Sequence, residues 1–180
     1  RVLDLGCGEG NLLRLLLQEK QFTEIVGMDV SHRVLEKASA RLKLDRLPEF
    51  QKNRIKFLHG SLIYRDERLQ GFDAAALVEV IEHLDPPRLA ALERTVFEFA
   101  KPKTVIITTP NAEYNVKFDT LPAGKFRHKD HRFEWTREEF ETWANRVGLE
   151  KGYTVQFLPI GNVAINVGAP TQMASFNSIH

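Results

Sequence analysis

The stretch Arg1-Val2-Leu3-Asp4-Leu5-Gly6-Cys7-Gly8-Glu9-Gly10-Asn11 decides the fold. Its first half is apolar and reads as a strand, Val2–Leu5. Glycines at alternate positions then read as a tight turn, and the leucine-rich run Asn11–Lys20 reads as a helix. A strand–turn–helix of this kind lets backbone approach a ligand closely and points the free N–H groups of a helix start towards it. A pyrophosphate-binding turn needs G-x-G-x-x-G and no crowding carboxylate. Here the spacing is G-x-G-x-G, with Glu9 among the glycines.

Downstream of this turn, short apolar runs alternate with amphipathic ones. Strands are expected at Glu24–Asp29, Ile55–His59, Phe72–Val78, Thr104–Thr109, Tyr153–Leu158 and Thr171–Phe176. Helices are expected at Ser31–Leu44, Pro87–Ala100 and Thr136–Val147. Pro86-Pro87 opens one helix, and Thr136 with Glu139 forms a capping box for another. This alternation predicts an α/β fold, a mostly parallel sheet flanked by helices. The last two strands are joined too briefly for a parallel crossover, so an antiparallel pair should close the sheet. Ligands in such sheets bind beyond the carboxyl ends of the strands. Asp29 ends the second strand, where a carboxylate can accept hydrogen bonds from both ribose hydroxyls, and Gly60-Ser61 follows the third, where an adenine edge would be read. A methionine sulfonium with its amino-acid tail suits the Asp4, Gly6 and Gly8 turn better than a dinucleotide does. These residues are similar to the cofactor motifs of the class I (Rossmann-like) S-adenosylmethionine-dependent methyltransferases, and the resemblance covers most of the chain.

Bulk composition sets limits. The 180 residues, 43% hydrophobic and 27% charged, suit one globular domain over 1–180. The chain opens inside a strand, so it is expected to be the C-terminal part of a longer protein. No apolar run is long enough to cross a membrane. A single cysteine, Cys7, excludes an internal disulfide and a cysteine zinc cluster, and it fits a reducing cytoplasm. With 25 basic and 24 acidic residues the net charge is only +1, so any case for nucleic acid must be local.

The fourth strand runs into Glu79-Val80-Ile81-Glu82-His83-Leu84. If the chain turns helical at Glu79, positions i, i+3 and i+4 bring Glu79, Glu82 and His83 to one face. Two carboxylates and an imidazole converging there are costly to desolvate unless a cation neutralises them. The second piece is His128-Lys129-Asp130-His131-Arg132-Phe133-Glu134-Trp135-Thr136, ahead of the last helix. Spacing alone does not choose between His128 and His131 as a further ligand. His32 and His59 lack carboxylate company and are expected to be structural, and terminal His180 is expected to be disordered.

Glu79–Leu84, Thr109-Pro110-Asn111-Ala112-Glu113-Tyr114-Asn115 and Asp130-His131-Arg132-Phe133-Glu134-Trp135-Thr136 together closely resemble the small-RNA 3′-terminal 2′-O-methyltransferases. That family includes plant microRNA, animal piRNA and bacterial RNA-repair methyltransferases, and Pro170-Thr171-Gln172-Met173-Ala174 resembles the bacterial branch. The resemblance implies S-adenosylmethionine as cofactor and Glu79, Glu82, His83 and His131 as ligands of one divalent metal, manganese or magnesium. It also implies a kinase–phosphatase–ligase of RNA repair as partner. Four protein ligands leave two positions on an octahedral ion, which the 2′ and 3′ oxygens of an RNA terminus can fill. The expected substrate is therefore an RNA 3′ end with both hydroxyls free. Two imidazoles favour manganese over magnesium. His83 or His131 is a candidate to help remove the 2′ proton, with a solvent base as the alternative.

Lys117–Arg132 interleaves Lys117, Lys125, Arg127, Lys129 and Arg132 with Phe118 and Phe126, a composition suited to phosphates and stacked bases. Arg127, Lys129 and Arg132 are the expected RNA contacts, and Trp135 is expected to pack inside. Three rival readings stand beside this one. They are a metal-dependent O-methyltransferase acting on a small vicinal diol, a non-catalytic RNA-end-binding module, and a nicotinamide oxidoreductase.

Overall fold

The computed structural model describes residues 1–179, so the expectation for His180 lies outside them. Seven strands form one sheet: β1 (Val2–Leu5), β2 (Ile25–Asp29), β3 (Ile55–His59), β4 (Ala74–Val78), β5 (Thr104–Pro110), β6 (Tyr153–Ile160) and β7 (Thr171–Ser178). Their order is β3-β2-β1-β4-β5-β7-β6. The first five are mutually parallel, and β7 lies antiparallel to both β5 and β6. This is the mostly parallel sheet expected from the alternation, closed by the expected antiparallel pair, and it has the Rossmann-like form that the family resemblance implies. The strand order reverses between β1 and β4, which opens a crevice at their carboxyl ends.

The helices are α1 (Asn11–Leu16), α2 (His32–Arg41), α3 (Glu49–Lys52), α4 (Pro86–Glu93) and α5 (Arg137–Lys151). α1 and α2 are shorter than the sequence pattern suggests. The Pro86 start is as read, but the helix departs from α geometry after Glu93, and Arg94–Ala100 is wound as a π-helix. The capping box on α5 forms as expected, with the Thr136 side chain accepting from the Glu139 N–H and Glu139 reaching back to the Thr136 N–H.

Two apolar clusters flank the sheet. The larger packs Leu3, Leu5, Met28, Leu77, Ile81 and Val105 against Leu92, Phe97, Phe140 and Trp143. The smaller joins Val2, Ile25 and Ile55 to Leu13, Leu17 and Leu35 of the first two helices. Phe133 and Trp135 stack with ring centroids 4.1 Å apart, and Trp135 adjoins Trp143 at 5.5 Å. This aromatic ladder carries the loop before α5 down onto the core, as expected of Trp135. No helix among the described residues is long and apolar enough to cross a membrane.

Candidate active site

The β1–α1 turn follows the glycine spacing. Gly6 has φ +77° and a Cβ there would lie 2.7 Å from Val80 Cγ2. Gly10 has φ +81° and caps α1 in the left-handed region. Asp29, ending β2, holds the turn in place. Its Oδ2 accepts from the Gly8 N–H at 3.1 Å and its Oδ1 from the Ser31 N–H at 2.9 Å. Asp4 lies buried behind the turn, and its Oδ2 has no hydrogen-bond partner. Burial, reinforced by the Asp29 charge, pushes the Asp4 carboxyl up to about 7. A buried acceptor of this kind is suited to a cationic or N–H-bearing ligand group.

One cavity runs from this turn across the crevice. Gly6, Asp29, Gly60 and Ser61 line it on one side, and Glu79, Val80, His83 and Leu84 on the other. Of the residues expected to hold the cofactor, Gly6, Asp29 and Ser61 therefore face the cavity. Asp4 and Gly8 support it from behind.

The second half of the site is built differently from the sequence expectation. No helix starts at Glu79. Pairing of β4 with β5 continues through Val78 opposite Thr108, and the Glu79 N–H donates to the Thr108 carbonyl at 3.2 Å. Sheet pairing thus wins over helix at this residue, and Glu79 takes φ +54°. A non-glycine residue is seldom held there, and such strain clusters at functional sites. A 3₁₀ turn over Ile81–His83 follows. Glu79 stands at the rim, its Oε1 accepting from Thr108 Oγ1 at 2.9 Å.

Glu82 is fully buried. Its Oε2 accepts from Thr109 Oγ1 at 3.0 Å, while Oε1 has no protein partner. Burial and the nearby Glu79 charge push this carboxyl up to about 8, against the weaker opposing pull of its hydrogen bonds. The loop carrying His131 is pinned over this turn, because the Arg132 N–H donates to the Glu82 carbonyl at 2.7 Å. As a result Glu82, His83 and His131 present ligand atoms that all lie within 4.8 Å of one another. An orphaned carboxylate oxygen between two imidazoles fits a divalent cation, which would satisfy it and offset the carboxylate's desolvation. Desolvation, then the adjoining His131, holds the His83 imidazole below its usual range, which favours the neutral, ligating form.

Three of the four expected ligands thus converge, and Glu79 lines the adjoining cavity without joining them. His128 faces the pair from the solvent side, with its ring centroid 6.2 Å from that of His83. It is not part of the converging group. His32 and His59 lie elsewhere, edge to face with each other at 6.0 Å.

The expectation for Arg127 as an RNA contact needs correction. Its guanidinium is committed inside the protein. It donates to the carbonyls of Asn111 and Pro170 and to Asn115 Oδ1, at 2.5, 2.7 and 2.6 Å. It also lies over the Phe118 ring at 4.9 Å. Lys129 and Arg132 are exposed, and their side chains sit on the loop above the site. Phe118 and Phe126 are exposed too, and both line a second cavity with Lys125, Asn115 and Glu134. The sequence reading assigned no role to Thr108, Thr109 or Glu134. The two threonines hold the carboxylates, and Glu134 holds His131. Thr109 and Glu134 fall within the stretches that carry the family resemblance, and Glu134 is spaced three residues from His131, whereas Thr108 has no such signal.

Comparison with known proteins identifies the family and the fold. Residues 1–152 match the family described as methyltransferase domain. A small RNA 2′-O-methyltransferase of Rattus norvegicus is 40% identical over 98% of the chain, which spans just under half (46%) of that protein. The crystal structure of the methyltransferase domain of bacterial CtHen1-C superposes with a TM-score of 0.91 at 56% identity, covering 99% of this chain and 89% of that one. The fold is also shared, at a TM-score of 0.71 and 23% identity, with a chain in the structure of the Pnkp1/Rnl/Hen1 RNA repair complex, covering 98% of this chain and 37% of that one.

Proposed function

Because the chain belongs to the methyltransferase-domain family of the small-RNA 2′-O-methyltransferases, we propose that it transfers a methyl group from S-adenosylmethionine to the 2′-oxygen of an RNA 3′-terminal ribose. The observation that carries this reading is the single cavity that joins Gly6, Asp29 and Ser61 to Glu79 and His83, beside the buried Glu82 carboxylate.

In this reading Asp29 and Ser61 bind the nucleoside part of the cofactor. The uncompensated Asp4 carboxylate lies behind the turn that receives its amino-acid tail. Glu82, His83 and His131 hold the metal, and Glu79, at the rim and outside that converging group, faces the same cavity from beside it. When bound, a divalent ion supplies Lewis acidity and a template that lowers the 2′-hydroxyl pKa and aims it at the methyl group. The two histidines orient rather than take the proton. His131 already spends Nδ1 on Glu134, and His83 engages the Asp130 backbone, so a ligating imidazole has no nitrogen left to accept a proton. The proton therefore leaves to solvent. Lys129 and Arg132 meet the phosphates, and the cavity rimmed by Phe118 and Phe126 gives a base a sequence-independent platform.

The setting we propose is bacterial RNA repair, alongside a kinase–phosphatase–ligase. The bacterial-type Pro170–Ala174 stretch and the 56% identity to the bacterial CtHen1-C domain favour it. Mass spectrometry of synthetic RNAs incubated with S-adenosylmethionine and manganese tests the reaction. Methylation is expected on RNA ending in 2′,3′-hydroxyls and not on its 3′-phosphate counterpart. Equal incorporation into both overturns the requirement for a free terminal diol. Methylation of catechol but not RNA would instead support the small-diol reading.

A further inference from the structure

Glu134 carries a buried carboxylate beside the site, and it is neither a member of the converging ligand group nor part of the lining of the cavity crossing to the cofactor turn. Its side chain is 0% exposed and that of His131 is 8%. Oε1 lies 2.6 Å from His131 Nδ1 and also accepts from the Arg127 N–H at 2.6 Å. Oε2 accepts from Asn115 Nδ2 at 2.6 Å. Asn115 in turn receives the Arg127 guanidinium through Oδ1, which fixes the orientation of its amide. The carboxylate is therefore gripped from three sides and cannot rotate away from the ring.

We propose that Glu134 is a positioning residue that locks His131 as the Nδ1–H tautomer and so directs the Nε2 lone pair at the metal. The inference rests on the metal-dependent reading above. A carboxylate accepts but does not donate, so the ring nitrogen facing Glu134 must carry the hydrogen. The opposite nitrogen is then unprotonated and available before any ion arrives. The buried carboxylate also makes that nitrogen a stronger donor, and supporting groups of this kind typically govern metal affinity by about 10- to 100-fold. Without Glu134, the neutral imidazole would divide between tautomers, one of which points N–H at the ion.

The experiment uses metal-free protein with ¹⁵N-labelled histidine at a pH where imidazole is neutral, with the His131 signals assigned by comparison with H131N. Wild-type protein is expected to show His131 as a single Nδ1–H tautomer, and E134A a mixture. Manganese affinity, measured by calorimetry, is expected to fall about 10- to 100-fold in E134A, with S-adenosylmethionine affinity unchanged. E134Q keeps an acceptor for the ring and is expected to retain the tautomer while losing only about threefold to tenfold in manganese affinity, a smaller share of the same effect. If E134A fails to fold, E134Q carries the test, and wild-type manganese affinity in that variant overturns the proposal. A folded E134A with wild-type tautomer and affinity also overturns it. Wild-type protein that binds no manganese instead sinks the metal-dependent reading, and a mixed tautomer in wild type sinks the proposal separately.

Discussion

Asp4 and Asp29 end up on neighbouring strands at the same sheet edge, where burial of Asp4, reinforced by the Asp29 charge, resists ionisation of the Asp4 carboxyl. Asp4 has a folded pKa near 7 against 3.8 unfolded, so between these values the folded protein binds the extra proton. Stability of the cofactor-free protein should thus fall as pH rises from about 4 to 7 and level off above. Replacing Asp4 by Asn should remove that part of the fall, leaving a variant more stable than wild type at pH 8, read from chemical denaturation at both ends of the window. A wild-type-like pH profile in the variant would show that Asp4 ionises freely. The same scale separates Arg127 from Lys129. Arg127→Ala leaves the Asn115 side-chain oxygen without its donor, at about 1–3 kcal/mol for a buried group left unpaired. It also takes one of two donors from the Asn111 and Pro170 carbonyls, which keep the Tyr114 and Asn111 N–H groups, so it should lower thermal stability. Lys129→Ala should leave the melting temperature alone and weaken RNA binding, as gel-shift titration would report. Sequence reasoning could name the charged residues of this loop but not tell them apart, because charge pattern does not reveal which guanidinium finds carbonyls to bind. His131 was likewise inseparable from His128 by spacing. The physical difference between them is Glu134, whose pairing with His131 is a fact of the loop's folded path.

At the level of elements, the β1–α1 turn was legible and the β4 end was not. Glycines at alternate positions announce left-handed backbone whatever the rest of the chain does. Gly6→Ala should cost about 1–2 kcal/mol from the left-handed backbone, before the contact with Val80 is counted. Because Val80 lines the cofactor cavity, S-adenosylmethionine affinity should fall at least tenfold while RNA affinity holds. Calorimetry with each ligand checks this, and unchanged cofactor affinity would mean the turn adapts without moving Val80. The β4 end obeys a non-local rule instead. Glu79 has helix-compatible neighbours, yet its N–H is claimed by Thr108, 29 residues away in sequence. The right residues met for the wrong local reason. A 3₁₀ turn and a pinned loop bring together what helical spacing was expected to align. The π-helical continuation of α4 was also hidden, since an apolar period near 3.6 does not distinguish it from an α-helix.

For the molecule as a whole, the mostly parallel sheet and its antiparallel closure followed from alternation and connection length with no need of the site residues, whereas the strand order β3-β2-β1-β4-β5-β7-β6 was not legible in the sequence. What whole-chain numbers could not supply was a sign for nucleic-acid binding, because a net charge of +1 averages away a local cluster. On the metal-dependent reading proposed above, the buried Glu82 carboxylate should make the folded state as a whole responsive to metal. Manganese should raise the melting temperature of the wild-type protein, magnesium should raise it less at equal concentration, and Glu82→Gln should abolish both effects. Scanning fluorimetry with and without chelator provides the measurement, and a larger shift with magnesium would reverse the preference argued from two imidazole ligands.

The placement of β7 between β5 and β6 has a consequence for how the catalytic centre comes into being. β5 supplies Thr108 and Thr109, the hydroxyls that hold Glu79 and Glu82, and β7 pairs with it from Thr104 to Pro110. Until α5 and β6 have been made and β7 has returned, β5 is a bare sheet edge whose threonines have no fixed register on that side. Such a long-range closure is slow compared with local helix formation. A nascent chain can therefore build its β1–α1 turn early, from neighbouring segments, while the half that carries Glu79 and Glu82 waits for the strand that arrives late. The order of assembly alone keeps a half-made enzyme from carrying a finished centre.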